Sequence, residues 1–258
     1  MCRIAYANIE NVNERYDAIA SIAVNSWNLG NRDGVGIYSW DDTGDMLIKG
    51  LKWDAFNKDL LNVADSLKRN TIIHARLSTN EITELNTQPL DINGVVVAHN
   101  GHINSCKYKP ETTTNDSEII IQAYLKVDTD IDALNKELFG TYNYILYDKS
   151  TDKLVFNADS SGMSVVSTNG NFFVVQQPEQ LKGVIKTGLF NPIGFEKVKS
   201  GHYLITTSKS VFKPFIKKVA QADKVYRRYS YPIGMRDREW EKEIIEGELA
   251  VNRRFWME

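Results

Sequence analysis

The sequence predicts an α+β layered domain, and three observations carry that reading. Segments with the apolar and β-branched character of strands come in consecutive runs, notably Thr141–Asp148, Lys153–Ala158, Met163–Ser167 and Phe172–Gln176, joined by short turns. Segments with helical periodicity fall into separate groups and do not alternate one-for-one with strands. The chain has 258 residues, of which 42% are hydrophobic and 25% charged, enough apolar content for one large core. Runs of strands and groups of helices favour sheets covered by helices over a doubly wound parallel sheet.

In chain order, Cys2 to Asn8 predicts a short strand. Glu10 to Trp27 predicts a helix, with Tyr16, Ile19, Ile22 and Ala23 on one face. Gly30-Asn31-Arg32-Asp33-Gly34 is a turn cluster, and Val35 to Trp40 returns to strand. Asp41-Asp42-Thr43-Gly44 turns into a strand over Met46 to Lys49. Ala55 to Lys68 predicts a second helix, and Thr71 to Leu77 a buried strand followed by a polar loop through Gln88. Gly94 to His99 is again strand-like. Asn115 is placed to cap a helix running to Leu125, with Glu118 three residues on as a capping-box partner. Gly201 to Thr206 predicts a further strand. From Lys217 the composition shifts to Lys, Arg, Glu and Tyr, and its last part can form a helix with Trp240, Ile244, Val251 and Phe255 near one stripe. The expected division is therefore 1–216 and a C-terminal extension, 217–258. The extension is either a helix docked on its own domain or an element that docks a partner or a second copy; Tyr226, Tyr229, Tyr231 and Trp256 are of types enriched in interfaces.

Composition narrows the function. A formal net charge of −2 gives no broad attraction to nucleic acid or anionic membrane, and Tyr226-Arg227-Arg228-Tyr229 is a small basic patch without a wider basic field. No apolar run is long enough to span a bilayer, and the N-terminus lacks the apolar core of a signal peptide. Two cysteines, Cys2 and Cys106, make no disulfide framework. These features predict a cytoplasmic protein.

Cys2 is the residue with the most chemistry. Removal of Met1 would leave a thiol and a free α-amine on one residue. The thiolate is the reactive form of cysteine, and an α-amine of pKa about 7.7–8.0 can take the thiol proton. Such a residue is a nucleophile that carries its own base. Four further segments stand out: Asn31-Arg32-Asp33-Gly34-Val35-Gly36, His74-Ala75-Arg76-Leu77-Ser78-Thr79-Asn80, Ala98-His99-Asn100-Gly101-His102, and Asn115-Asp116-Ser117-Glu118. Each alone has an ordinary structural explanation: an Asn-Gly turn, a helix cap, or an arginine ion pair at a strand end. His99, His102 and Cys106 lack the further ligands that a metal site needs, and no phosphate-binding glycine loop is present.

Together, and in this order behind Cys2, these segments resemble the glutaminase domain of the class II glutamine amidotransferases, which are N-terminal nucleophile hydrolases. The turn at Asn31–Gly36 and the loop Asn86-Thr87-Gln88-Pro89-Leu90 resemble the small stand-alone members. The resemblance spans Met1 to about Thr206. It implies a four-layer α/β/β/α sandwich of two mainly antiparallel sheets with helices outside, and no cofactor or metal. It implies that Cys2 attacks the side-chain amide of L-glutamine. Asn100 and the Gly101 N–H would then form the oxyanion hole, Arg76 would clamp the α-carboxylate, Asp116 would bind the α-ammonium, and Thr79 would add a polar contact. Arg32 and His74 are expected to support the site. Ammonia would pass to a separate acceptor enzyme, as a synthase domain does not fit in the chain. Two alternatives stay open: hydrolysis of another γ-glutamyl or small amide, and a catalytically silent binding or regulatory protein. The sequence departs from the larger members at Arg3, where Gly is common, at Leu77, where an aromatic is common, and at Asn157–Gly162, which matches a comparable turn only loosely.

Overall fold

The computed structural model describes residues 2–79, 81–104, 107–158, 162–168, 171–184, 192–198, 201–208 and 211–220. Thirteen strands are described: β1 Arg3–Ile9, β2 Val35–Asp41, β3 Gly44–Gly50, β4 Asn70–Ala75, β5 Leu90–Ile92, β6 Val95–Asn104, β7 Phe139–Asp148, β8 Lys153–Ala158, β9 Met163–Thr168, β10 Asn171–Val175, β11 Pro192–Val198, β12 Gly201–Ser208 and β13 Val211–Ala220. Four α-helices accompany them: α1 Val12–Asn28, α2 Trp53–Asn62, α3 Glu118–Lys126 and α4 Ile131–Glu137. One sheet has the order β11-β9-β10-β1-β4-β2-β3 and the other β13-β12-β8-β7-β6-β5. Every described pairing is antiparallel.

Period-two alternation sorts the side chains into layers. On β1, Ile4 and Tyr6 lie between the sheets with Tyr38, Trp40, Ile72, Val96, Ala98, Ile145 and Phe156. Their neighbours Ala5, Ala7 and Ile9 face the other way, against Ile19, Ile22 and Ala23 of α1 and Phe56 and Leu60 of α2. On the second sheet Val95, Val97, Tyr144 and Leu146 face Ile120, Ala123 and Tyr124 of α3 and Leu134 of α4. The layers are therefore helix, sheet, sheet, helix, as the resemblance implies. Burying each large apolar side chain contributes about 1.5–3 kcal/mol. Trp40 stacks on Tyr147 across the sheets at 4.2 Å between ring centroids.

Several local expectations change. The helix expected over Ala55–Lys68 stops at Asn62 and gives way to a 3₁₀ turn, Ala64–Ser66. Leu67 is buried there, and Arg15 of α1 caps the Leu67 carbonyl at 3.0 Å, so tertiary contacts override a run of good helix formers. The capping box at Asn115 and Glu118 does not form. The Asn115 carboxamide instead accepts from Ser117 N–H at 3.0 Å, and α3 starts at Glu118. Helix α4 and strands β5, β11 and β13 were not expected; β5 has only three residues and α4 seven, too short for periodicity to reveal. The described elements lie in one unit, Met1–Asp223. The helix expected in the extension lies outside the described residues. Among the described residues no helix is long and apolar enough to cross a membrane.

Gly36 shows how the core makes room for a loop. It lies on β2 opposite His74, with the same facing as Tyr38 and Trp40. A Cβ there would fall onto the Gln88 carbonyl oxygen and come within 3.2 Å of the Ile48 carbonyl. Glycine thus lets the 84–89 loop pass beneath the strand. Gly36→Ala is expected to lower stability by about 1–3 kcal/mol, as overpacking does. A urea midpoint equal to that of the parent protein would show that the loop yields at no cost.

Candidate active site

The site begins at the ends of three strands. Arg3 on β1 pairs with Ala75 on β4, and Val35 on β2 pairs with Ala75 from the other side. Cys2 therefore sits beside Arg76, and Arg76 beside Gly34. Cys2, Ile4 and Tyr6 share one facing, and so do Ile72, His74 and Arg76, so the side chains of Cys2, His74 and Arg76 are directed into the space between the sheets. The second sheet meets them there, because β6 packs against both β1 and β4. On β6 the residues Val96 and Ala98 face inward, and Asn100 follows in the same phase.

Cys2 is half-buried, and its Sγ lies 3.6 Å from the Leu77 carbonyl oxygen. Arg3 steadies the Cys2 peptide, donating from Nη1 to the Cys2 carbonyl at 3.0 Å and from Nε to Gln177 Oε1 at 2.9 Å. Arg3 drew notice in the sequence only as a departure from glycine. Burial pushes the Cys2 thiol up; the Leu77 backbone and the Arg76 charge pull it back, and the Asp116 charge adds to the rise.

Arg76 is 2% exposed and donates from Nη2 to the Glu81 carbonyl at 2.7 Å. Burial disfavours its charge, and the neighbouring Cys2 and Asp33 offset part of that cost. Its backbone is held on both sides: Arg76 N–H donates to Gly34 O at 2.7 Å, and Asp33 N–H donates to Arg76 O at 3.0 Å. Asp33 Oδ2 also accepts from Ser78 N–H at 2.7 Å. The Asn31–Gly34 turn is thus a brace for the loop after β4, a role the residue pattern did not disclose. Arg32, expected near the nucleophile, is exposed, and so is Thr79.

Asn100 is buried and pairs with Asn143 on β7. Gly101 has φ +143°, and a Cβ there would fall onto the Thr141 carbonyl oxygen. The position therefore requires glycine. Asp116 stands before α3. Its Oδ2 accepts from Ile103 N–H at 2.8 Å and lies 3.4 Å from His102 Nδ1, while Oδ1 takes no hydrogen bond from the described residues. His99, next to Asn100 and facing the helical layer, meets Ser117 Oγ at 2.8 Å through Nδ1, and its backbone N–H donates to Gln88 Oε1 at 2.6 Å. Glu118 anchors the loop before α3. Burial pushes its carboxyl up, but N–H groups of Thr112, Glu111 and Thr113 and the Thr113 hydroxyl outweigh that and hold it below the usual range. Among the described residues no cluster of His, Cys, Asp and Glu could hold a metal ion. Cys106 lies outside the described residues.

No protein-family model matches the sequence, and no curated protein matches it. Solved structures do match. The glutamine phosphoribosylpyrophosphate amidotransferase of B. subtilis aligns at a TM-score of 0.61 and 16% identity, over 84% of this chain and 49% of that one. A structure described as the allosteric regulatory enzyme of purine biosynthesis aligns at 0.63 and 15% identity, over 84% and 49%. The fold is that of the class II glutamine amidotransferase domains. A glutamine aminotransferase class-II domain protein from Silicibacter pomeroyi matches at 0.52 and 13% identity, over 85% of this chain and all of that one. The chain therefore spans about half the length of the first two and the whole of the third. At these identities the likeness to the class II domains is one of fold.

His74 gives this site a measurable signature. It is fully buried between Cys2's strand and β2, and burial, followed by the charges of His99 and Arg76, lowers its pKa to about 3. The His99 backbone offsets this only in part, and neither ring nitrogen has a partner at full hydrogen-bond geometry. The ring is therefore neutral in the folded protein, whereas an unfolded chain takes up a proton near pH 6.5. Below that pH the unfolded state binds more protons, so stability is whole above pH 6.5 and drains as pH falls toward 3, by at most about 1.4 kcal/mol per unit. Urea midpoints of the parent and of His74→Gln, compared between about pH 6.5 and 4, should converge as the parent loses this extra increment. Parallel pH profiles would mean that His74 is already charged or solvated in the fold.

Proposed function

We propose that this chain hydrolyses L-glutamine to glutamate and ammonia through a γ-glutamyl thioester on Cys2. The observation that carries the reading is the strand register, which sets Arg76 beside Cys2 at the ends of β4 and β1 while β6, bearing Asn100 and Gly101, packs against both. Asp116 is tied to the end of β6 through Ile103, and a free amino acid brings an α-carboxylate and an α-ammonium to match Arg76 and Asp116. The fold is a second support.

In this reading Met1 is removed, and the Cys2 α-amine is the general base. It takes the thiol proton as Sγ attacks the amide carbon of glutamine. Burial holds the thiol protonated at rest, so a base acting during the attack is needed. The oxygen of the tetrahedral intermediate becomes an anion, which the Asn100 carboxamide and the Gly101 N–H stabilise. Donors of this kind are worth about 3–4 kcal/mol of barrier each. Collapse breaks the C–N bond, and the α-ammonium returns its proton to the departing ammonia. Water, deprotonated by the same amine, attacks the thioester; the second tetrahedral intermediate expels the thiolate, which regains the proton as glutamate leaves. Arg76 meets the α-carboxylate through its planar fork, for which guanidinium geometry is suited. Asp116 meets the α-ammonium through Oδ1. Ammonia is delivered to a separate acceptor enzyme.

Glutamate release by the purified chain tests the reading. Intact mass should show loss of Met1, and Cys2→Ala should abolish turnover while the fold persists. Arg76→Ala and Asp116→Ala should chiefly raise KM, since both contacts are made in ground and transition states alike. Asn100→Ala should lower kcat by about 10²–10³. Retained Met1 together with glutamate release unaffected by Cys2→Ala would assign the chemistry elsewhere.

A further inference from the structure

The Arg76 loop and the Asp116 loop belong to different layers of the fold, and one buried side chain joins them. Arg76 Nη2 donates to the Glu81 carbonyl at 2.7 Å. Asn86 Nδ2 donates to that same carbonyl at 3.2 Å and to Thr114 Oγ1 at 2.8 Å. Asn86 Oδ1 accepts from Thr114 N–H at 2.9 Å, and the Asn86 carbonyl accepts from Asn115 Nδ2 at 3.0 Å. Because a backbone N–H can only donate, the carboxamide orientation is fixed by Thr114. Asn86 is 2% exposed, so these bonds form where water does not compete. From Asn115 the chain continues through Ser117, whose hydroxyl receives Gln88 Nε2 at 2.8 Å, to His99 beside Asn100.

We infer that Asn86 is a positioning residue that sets the separation between Arg76 and Asp116, and with it the selectivity for an amino acid carrying both α-charges. The inference rests on the glutamine reading of the site. Asn86 touches no substrate. It joins the carbonyl that holds the Arg76 guanidinium to the two residues that precede Asp116. Removing its carboxamide would free the two loops to move relative to each other. A ligand gripped at both charges would lose affinity, whereas a ligand gripped at one would not.

The experiment uses the full chain and alkylation of Cys2 by iodoacetamide, an uncharged reagent, followed by mass spectrometry. L-Glutamine should protect Cys2. In Asn86→Ala the half-protecting concentration of glutamine should rise about tenfold, while kcat stays within about threefold. The unprotected alkylation rate should stay within about twofold, which reports an intact site. 4-Carbamoylbutanoate is glutamine without its α-amine and meets Arg76 alone, so its half-protecting concentration should be unchanged. Thr114→Val removes one acceptor of the same carboxamide and should move glutamine protection in the same direction by less; it carries the test if Asn86→Ala does not fold. Equal losses for the two ligands would overturn the inference, since Asn86 would then support Arg76 only. Unchanged glutamine protection would overturn it too, with the glutamine reading intact. Failure of glutamine to protect the parent protein would remove the glutamine reading itself and the inference with it.

Discussion

Two antiparallel sheets face each other, and the alternation of side chains along each strand decides which groups can meet between them. The phase of β1 is set by Ile4 and Tyr6, which enter the shared core. Cys2 follows in that phase at the strand's open end. The phase of β4 is set by Ile72, and it carries His74 and Arg76 to the same side. The phase of β6, set by Val96 and Ala98, turns Asn100 toward them. A shift of register by one residue on any of these strands would turn its polar group at the site away from the space between the sheets. The core and the site are therefore specified by one pattern.

That arrangement brings polar groups into a dry seam, where each needs partners. The surrounding loops meet most of this demand. Asp33 takes the Ser78 N–H, Glu81 and Asn86 secure the Arg76 end, and Glu118 collects N–H groups from the turn at 111–113. Lying at the open end of the seam, Cys2 keeps partial access to solvent, while His74 one strand over has none. The neutral His74 is the group least reconciled with its surroundings, which is why it responds to acid while its neighbours are held by hydrogen bonds.

Much of this was legible in the residues. Apolar runs in 2–8, 71–77 and 94–99 located β1, β4 and the first half of β6, and the resemblance to the class II domains singled out Arg76, Asn100, Gly101 and Asp116 beside Cys2. What stayed hidden depends on contacts distant in sequence. Asn86 looked like part of a polar loop because its partners are the Glu81 carbonyl and Thr114, and backbone carbonyls leave no mark in a sequence. Glu118 had the spacing of a capping-box residue, yet three backbone N–H groups on its N-terminal side offered its carboxylate a better site. Strand β5 has three residues and helix α4 seven, less than is needed for a period to emerge. Arg32 and Thr79 carried a motif's weight in the sequence but stand exposed in the fold, and the burial of Asn31 and Arg76 shows that neighbours within one motif can have unrelated surroundings.

In the proposed reading, a ligand with opposite charges on one carbon asks for a cation and an anion at a fixed spacing, and Arg76 and Asp116 come from different layers of the fold. Arg76 comes from the end of a strand in the first sheet, and Asp116 from the loop that leads into the outer helix of the second. Their spacing is consequently a property of how the layers pack rather than of any one loop. An apolar core holds the layers at the correct distance on average, but it is non-directional and tolerates small slips. Hydrogen bonds are directional, and a carboxamide that donates to one loop and both donates to and accepts from the other resists such a slip. The polar chain from the Glu81 carbonyl through Asn86 and Asn115 to Ser117 and His99 thus supplies what the core cannot: a fixed register between the layer that bears Cys2 and the layer that bears Asp116.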